Sequence, residues 1–159
     1  MTHRAHVITV SDGVSAGTRT DKSGQALREV LERDHFEVIG PEVVPDEQSL
    51  ITDAIVAAVV AGADVVVTTG GTGLGPRDVT PQATSMLIDY EVPGLAELMR
   101  RTGEKSTPMA VLSRGVVGVR AQSLIINVPG STKGATESLE ALLPVLRHAI
   151  QLLHGDTKH

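Results

Sequence analysis

Cysteine is absent from this 159-residue chain, and with it any disulfide frame, thiolate nucleophile or cysteine-bound zinc. Aromatic residues are almost missing. Phe36 and Tyr90 stand alone and there is no Trp, which removes the stacking platform that single-stranded nucleic acid requires. Basic residues are not in excess either. A net charge of −5 argues against a nucleic-acid partner, whose phosphates select a basic surface. Long apolar runs are also lacking. The longest, Ala54–Ala61, falls far short of the ~20 residues needed to cross a bilayer, and the run before Ser11 is too short for a signal peptide. A cytoplasmic protein with no membrane partner is expected. Its chemistry must rest on carboxylates, hydroxyls, Lys, Arg, His, backbone amides or a metal.

What is present reads as one globular domain spanning residues 1–159, with 41% hydrophobic and 21% charged residues. Short apolar runs alternate with helical periodicity. His6–Val10 predicts a strand, followed by a loop to Lys22, and Ala26, Leu27, Val30 and Leu31 recur at helical spacing. Phe36–Val44 predicts a second strand and Leu50–Val59 a second helical stripe. Val65–Thr69 is a β-branched run suited to burial on both faces. Thr80-Pro81 predicts an N-cap followed by a first-turn proline, opening a helix to about Tyr90. Another helix follows Gly94, a short strand is expected around Met109–Leu112, and Leu124–Val128 predicts a last buried strand. The final helix is expected over Thr136–Leu153, with His154 and Gly155 at its end. This alternation predicts an α/β fold in three layers, a mostly parallel sheet between helices.

In open α/β sheets, ligands bind beyond the carboxyl ends of the strands. The first strand runs into Ser11-Asp12-Gly13, the second into Pro45-Asp46-Glu47 and the last into Pro129-Gly130-Ser131-Thr132-Lys133. The third runs into Thr69-Gly70-Gly71-Thr72-Gly73-Leu74-Gly75-Pro76-Arg77-Asp78. Hydroxyls, carboxylates and glycines thus recur at one sheet edge, which marks a binding site. The glycines leave backbone amides free to face a polyanion, and the helix start near Thr80 adds partial positive charge. Arg77 adds a full charge, and Asp78 supplies an anion for a bridging Mg²⁺. The loop is neither a Walker A nor a G-x-G-x-x-G fingerprint, since no Lys-Ser or Lys-Thr pair follows a glycine at the right spacing and Pro76 occupies the last glycine position.

Two readings of the acids stay open at this point. Asp46, Asp12 and Asp78 each stand where a helix N-cap is common. Carboxylates at neighbouring strand ends could equally share one Mg²⁺, which takes one or two protein carboxylates together with phosphate oxygens. Ser131 and Thr132 are open to a capping role in the same way, and Arg114 and Lys133 to being solvated charges. His3, His6, His35, His148, His154 and His159 are scattered and read as surface or capping residues.

The stretch Thr69–Thr84, TGGTGLGPRDVTPQAT, resembles the MogA/MoaB family of molybdenum-cofactor biosynthesis proteins. The resemblance extends through Val10–Asp12, the Asp21 loop, Pro45-Asp46-Glu47, Val92-Pro93-Gly94, Leu112–Gly115 and Ile125–Ser131. It implies a three-layer domain that binds molybdopterin, a homotrimer or hexamer, and Mg-ATP-dependent adenylylation of molybdopterin with release of pyrophosphate. It implies Asp46 and Asp78 as the catalytic and Mg²⁺-binding acids. Ser11, Asp12, Thr69, Gly70, Gly71, Thr72, Gly73, Arg77, Ser113, Gly130 and Ser131 become the expected contacts to ATP and molybdopterin. A molybdate-insertion protein is an implied partner. The chain passes directly from Ser131 to its final helix, without the insertion of larger members, and so resembles the shorter MoaB-like branch. That form motivates the alternative of a molybdopterin carrier without transferase activity. A nucleotide-dependent oxidoreductase is a third reading, weakened by the missing dinucleotide fingerprint.

Overall fold

A computed structural model of the chain describes residues 1–158; His159 lies outside them. Six strands form one sheet: β1 (Arg4–Val10), β2 (Glu37–Val44), β3 (Val65–Thr69), β4 (Tyr90–Glu91), β5 (Val117–Arg120) and β6 (Ser123–Val128). Their order is β2-β1-β3-β6-β5-β4. The β2-β1-β3-β6 half is parallel, and β5 and β4 close the other edge antiparallel. The helices are α1 (Asp12–Ser15), α2 (Lys22–Arg33), α3 (Gln48–Val60), α4 (Thr80–Ser85), α5 (Pro93–Glu104) and α6 (Thr132–Leu153).

Two apolar cores lie on opposite faces of the sheet. Leu27 and Leu31 of α2, Met99 of α5 and Leu139, Leu142, Leu146 and Ile150 of α6 pack with Val7, Val67 and Ile126 on one face. Ile51 and Ile55 of α3 and Ala83 of α4 pack with Ile8, Val66 and Ile125 on the other. Alternate residues of each central strand therefore serve opposite cores, which is why β3 reads as an unbroken β-branched run. The predicted three-layer α/β architecture is what forms. From β1 the chain passes to β2 on one side and then to β3 on the other. The carboxyl ends of β1 and β3 therefore flank the point where the strand order reverses, the crevice in which such sheets bind ligands.

Several local expectations are corrected. Met109–Leu112 is not a strand but part of a 3₁₀ turn over Pro108–Leu112. Pro108 lacks the amide a ladder needs, and Thr107 Oγ1 accepts from the Met109 amide at the turn's start. The strand lies further on, at β5, and turns into β6 through Ala121-Gln122. That pair lacks the Asn-Gly signature of a tight hairpin; Ala121 adopts a φ of 53° with its amide donating to Asp89 Oδ2 at 2.8 Å. Thr80 is the first residue of α4 rather than its cap, and α4 ends at Ser85, well before Tyr90. The expected loop before Lys22 includes α1, capped by Ser11, and α6 begins at Thr132. Val92, Leu95 and Ala96 pack against the core. His3 is buried against Phe36, their ring centroids 6.1 Å apart, rather than at the surface.

Candidate functional site

The glycine loop leaves β3 at a point where only glycine fits. Gly70 has φ 101°, and a Cβ there would lie 2.2 Å from Val10 O; Gly71 has φ 67°, and its Cβ would lie 2.3 Å from Thr80 Oγ1. The close approach joins the ends of β1, β3 and α4. Thr80 Oγ1 donates to Gly70 O at 2.9 Å, and the Gly70 amide donates to Val128 O. The loop then turns back on Asp78, whose Oδ2 accepts from the Gly75 amide at 2.9 Å.

The ends of β1 and β2 are tied by a reciprocal pair. The Asp12 amide donates to Asp46 Oδ2 at 2.9 Å, and the Asp46 amide donates to Asp12 Oδ1 at 3.0 Å. Arg77 reaches back to the same Asp12 carboxylate, Nε and Nη2 each at 3.0 Å. That fork holds the Asp12 carboxyl below its ordinary range. Asp46 moves the other way. Partial burial pushes its pKa up, against the pull of the Asp12 amide, and the nearby charges of Asp12 and Asp78 push it further.

Two cavities open on either side of this loop. One, of about 410 Å³, is largely apolar, with Ala96, Met99, Met109, Ala110 and Leu112 in its walls beside Asn127 and Ser113. The other, of about 360 Å³, is polar, with Ser11, Arg19, Asp21, Lys22, Ser23, Asp46 and Thr132 among its lining. They share one wall, made by Gly71, Asp78, Gly130 and Ser131. Asp78 therefore stands on the wall between the two cavities.

Asp46 and Asp78 are neighbouring acids that both line the polar cavity. Each commits one carboxylate oxygen to a backbone amide, Asp46 to Asp12 and Asp78 to Gly75. The other oxygens are hard donors, and the repulsion between the two acids is what a cation relieves. Among the described residues, no group of three or more His, Cys, Asp or Glu side chains is placed to hold a metal. Two carboxylates completed by phosphate oxygens and water suit Mg²⁺, so the donor set fits that ion.

Residues 6–148 match the family model described as a probable molybdopterin binding domain. The chain belongs to this molybdopterin-binding family. It is 41% identical over 156 residues to a molybdopterin adenylyltransferase from Helicobacter pylori J99, an alignment covering 94% of this chain and 87% of that one. The fold matches the crystal structure of the molybdopterin biosynthesis enzyme MoaB from Thermus thermophilus with a TM-score of 0.91 and 55% identity, over 97% and 98% of the two chains. A MogA structure matches with a TM-score of 0.92 and 42% identity, over 95% and 99%. The MogA/MoaB resemblance read from the sequence is thereby shown.

Within this molybdopterin-binding fold, most of the expected contact residues gather at the two cavities. Ser11, Thr69 and Gly70 line the polar one, Thr72, Gly73 and Ser113 the apolar one, and Gly71, Gly130 and Ser131 both. Three expectations change. The Gly70 amide is committed to β6 and is not free to cradle a phosphate. Arg77 carries no free charge toward a ligand; it is paired with Asp12, and both lie outside the two cavities. Asp46 and Asp12 are not helix caps, because Glu47 and Ser11 hold those positions. Capping does claim Ser131, whose Oγ accepts from Gly134 at the start of α6, and Ser11, whose Oγ accepts from Val14. Both still face the cavities.

Sequence reasoning missed the apolar side chains that wall the apolar cavity. Met99 was legible as part of a helical stripe and Met109–Leu112 as an apolar run, and neither pattern distinguishes core from cavity. It also missed Asn127. This buried amide donates to Thr68 and Thr84 Oγ1, each at 2.9 Å, and accepts from the Val116 amide, so it ties β3, α4 and β6 beneath the cavity. A polar residue inside the apolar run Leu124–Val128 was the available signal. Among the described residues, no helix is long and apolar enough to cross a membrane.

Proposed function

We propose that this chain is a molybdopterin adenylyltransferase in molybdenum-cofactor biosynthesis, and that residues 1–159 carry the activity as one domain. The observation that supports it most is the wall shared by two chemically different cavities. Adenylyl transfer must bring two phosphorylated molecules together at a single phosphorus, and each molecule has a flat ring to bury and phosphates to hold. An apolar chamber and a charged one meeting at Asp78 supply that arrangement.

In the reaction, a terminal phosphate oxygen of molybdopterin attacks the α-phosphorus of ATP. One P–O bond forms to the pterin phosphate, the bond to the β-phosphate bridging oxygen breaks, and pyrophosphate leaves with that electron pair. Asp46 and Asp78 would hold Mg²⁺, which when bound neutralises phosphate charge and the departing pyrophosphate. The Gly71 and Gly73 amides face the phosphates, while Lys22 and Arg19 draw polyanions into the polar chamber. The chain forms no covalent intermediate; it contributes positioning and electrostatics. Arg77 fixes Asp12 and, through it, the end of β1 to which Asp46 is tied.

The protein acts in the cytoplasm as a homotrimer or hexamer, with exposed Met86, Tyr90 and Val111 as apolar surface for self-association, and hands its product to a molybdate-insertion protein. Sedimentation at trimer mass or above checks the assembly; a monomer at micromolar concentration would refute it. The function is tested by incubating the protein with molybdopterin and Mg-ATP and following adenylylated pterin by chromatography, alongside Asp46→Asn and Asp78→Asn. Product from the parent, reduced ~100-fold or more in both variants, supports the reading. Binding of molybdopterin without product would assign the carrier role instead.

A further inference from the structure

Arg114, which the sequence leaves open to being a solvated charge, spends its guanidinium on partners within the fold. Nε donates to Gly73 O at 2.9 Å and Nη2 to Asp78 O at 2.8 Å, while Nη1 lies 3.3 Å from Gln82 Oε1 on α4. Its own amide donates to Thr72 O at 2.8 Å. One side chain thus grips both ends of the Gly73–Asp78 turn and the helix that follows. Leu74, Gly75, Pro76 and Arg77 are exposed, so packing does little to set the shape of the turn. Within it, the Asp78 amide donates to Gly75 O and the Gly75 amide to Asp78 Oδ2. Arg114 is in turn seated by Arg100, whose Nη1 donates to Ser113 O and Gly115 O at 3.2 and 3.0 Å. Arg114 lines neither cavity that meets at Asp78.

We propose that Arg114 is a positioning residue for adenylyl transfer: by bridging the carbonyls of Gly73 and Asp78 it fixes the turn that aims the Asp78 carboxylate at the wall between the chambers. The inference rests on the assignment of Asp78 to the transfer site. A planar fork serves two carbonyls at once, whereas a lysine ammonium on a flexible stem does not hold both in one geometry. The positional tolerance is small, since a displacement of about 1 Å at a reacting group can cost about 100-fold in rate.

The experiment compares the parent with Arg114→Met, Arg114→Lys, Asp78→Asn and the double variant Arg114→Met/Asp78→Asn, each assayed for adenylylated pterin with molybdopterin and Mg-ATP. Arg114→Met is expected to lower kcat about 100-fold while KM for Mg-ATP changes less than about threefold. Arg114→Lys is expected to recover less than a tenth of parental activity, and the double variant to be no slower than Asp78→Asn alone. In the ligand-free protein, amide exchange at Gly75 is expected to speed up at least about tenfold in either Arg114 variant. Parental activity in Arg114→Met beside an impaired Asp78→Asn overturns the proposal, as does a double variant markedly slower than Asp78→Asn. If Arg114→Met does not fold, unchanged Gly75 exchange in Arg114→Lys overturns it. Parental activity in Asp78→Asn instead overturns the assignment of Asp78, a result distinct from all of these.

Discussion

The polar chamber is walled by residues that end strands or start helices, the apolar chamber by residues of helix and turn packed beside the antiparallel edge of the sheet. Ser11, Asp46 and Thr69 reach the first from the ends of β1, β2 and β3, and Asp21 caps α2 at its mouth, accepting from Gly24 and Thr9. Met99 of α5, Met109, Ala110 and Leu112 of the 3₁₀ turn, and Ser138 of α6 reach the second. One chamber is lined by charged and hydroxyl side chains and the other mainly by apolar ones, and only Gly71, Asp78, Gly130 and Ser131 belong to both. The comparison makes each chamber separately breakable.

The largest separable effect is expected from filling the apolar chamber. Ala110→Trp should weaken binding of one of the two substrates about 100-fold, roughly 2.7 kcal/mol, while inorganic pyrophosphate binds as in the parent. Titration calorimetry with each ligand checks this, and equal losses for all three ligands would mean that the chambers are not distinct. A smaller effect is expected in the polar chamber. Lys22→Ala should raise the dissociation constant of pyrophosphate about tenfold at low salt, and added salt should shrink the difference.

A third prediction concerns protons. Folding raises the Asp46 pKa above its ordinary value of 3.8, mainly through burial. Folding therefore favours its neutral form: that contribution to stability is present below the unfolded pKa and is lost as pH rises through the folded one. Asp46→Asn, neutral at every pH, should thus gain thermal stability relative to the parent as pH rises from about 3.5 to about 7 in metal-free buffer. A melting difference that stays flat, or runs the other way, contradicts the environment described for Asp46. Least of all is expected from Arg77→Ala. The Arg77–Asp12 fork is solvent-exposed, and exposed pairs contribute little, so the urea midpoint should match the parent's. A clear drop would show that the fork does more than orient Asp12.

The two chambers were not equally legible in the sequence. Ser, Asp and Gly stand out at the ends of β-branched runs, because a strand buried on both faces is otherwise dominated by apolar side chains. Hence the polar chamber and the glycine loop could be located by position alone. Apolar residues give no such contrast. Met109–Leu112 looks like a short strand because apolar side chains serve a ligand cavity and a core equally well, and only Pro108 hinted otherwise. β5 escaped for a different reason. Gly118 interrupts its β-branched pattern, and a Cβ at that position would lie 2.7 Å from Ile88 Cδ1, so the glycine answers to a contact with the segment between α4 and β4 that local sequence does not show. The roles of Arg114 and Asn127 were hidden in the same way, since their partners on the glycine loop and α4 lie more than 30 residues away, although Asn127 itself stood out in its apolar run.

The shared wall at Gly71, Asp78, Gly130 and Ser131 has a consequence for what happens after transfer. With one substrate in each chamber, as proposed, the two can depart independently. Once joined, they form one bivalent molecule, and while either half stays anchored the other is kept at high effective concentration beside its own chamber. Escape then needs both grips to open together. On that reading, joining the substrates lengthens residence on the protein, and an acceptor that takes hold of one end of the product would shorten it.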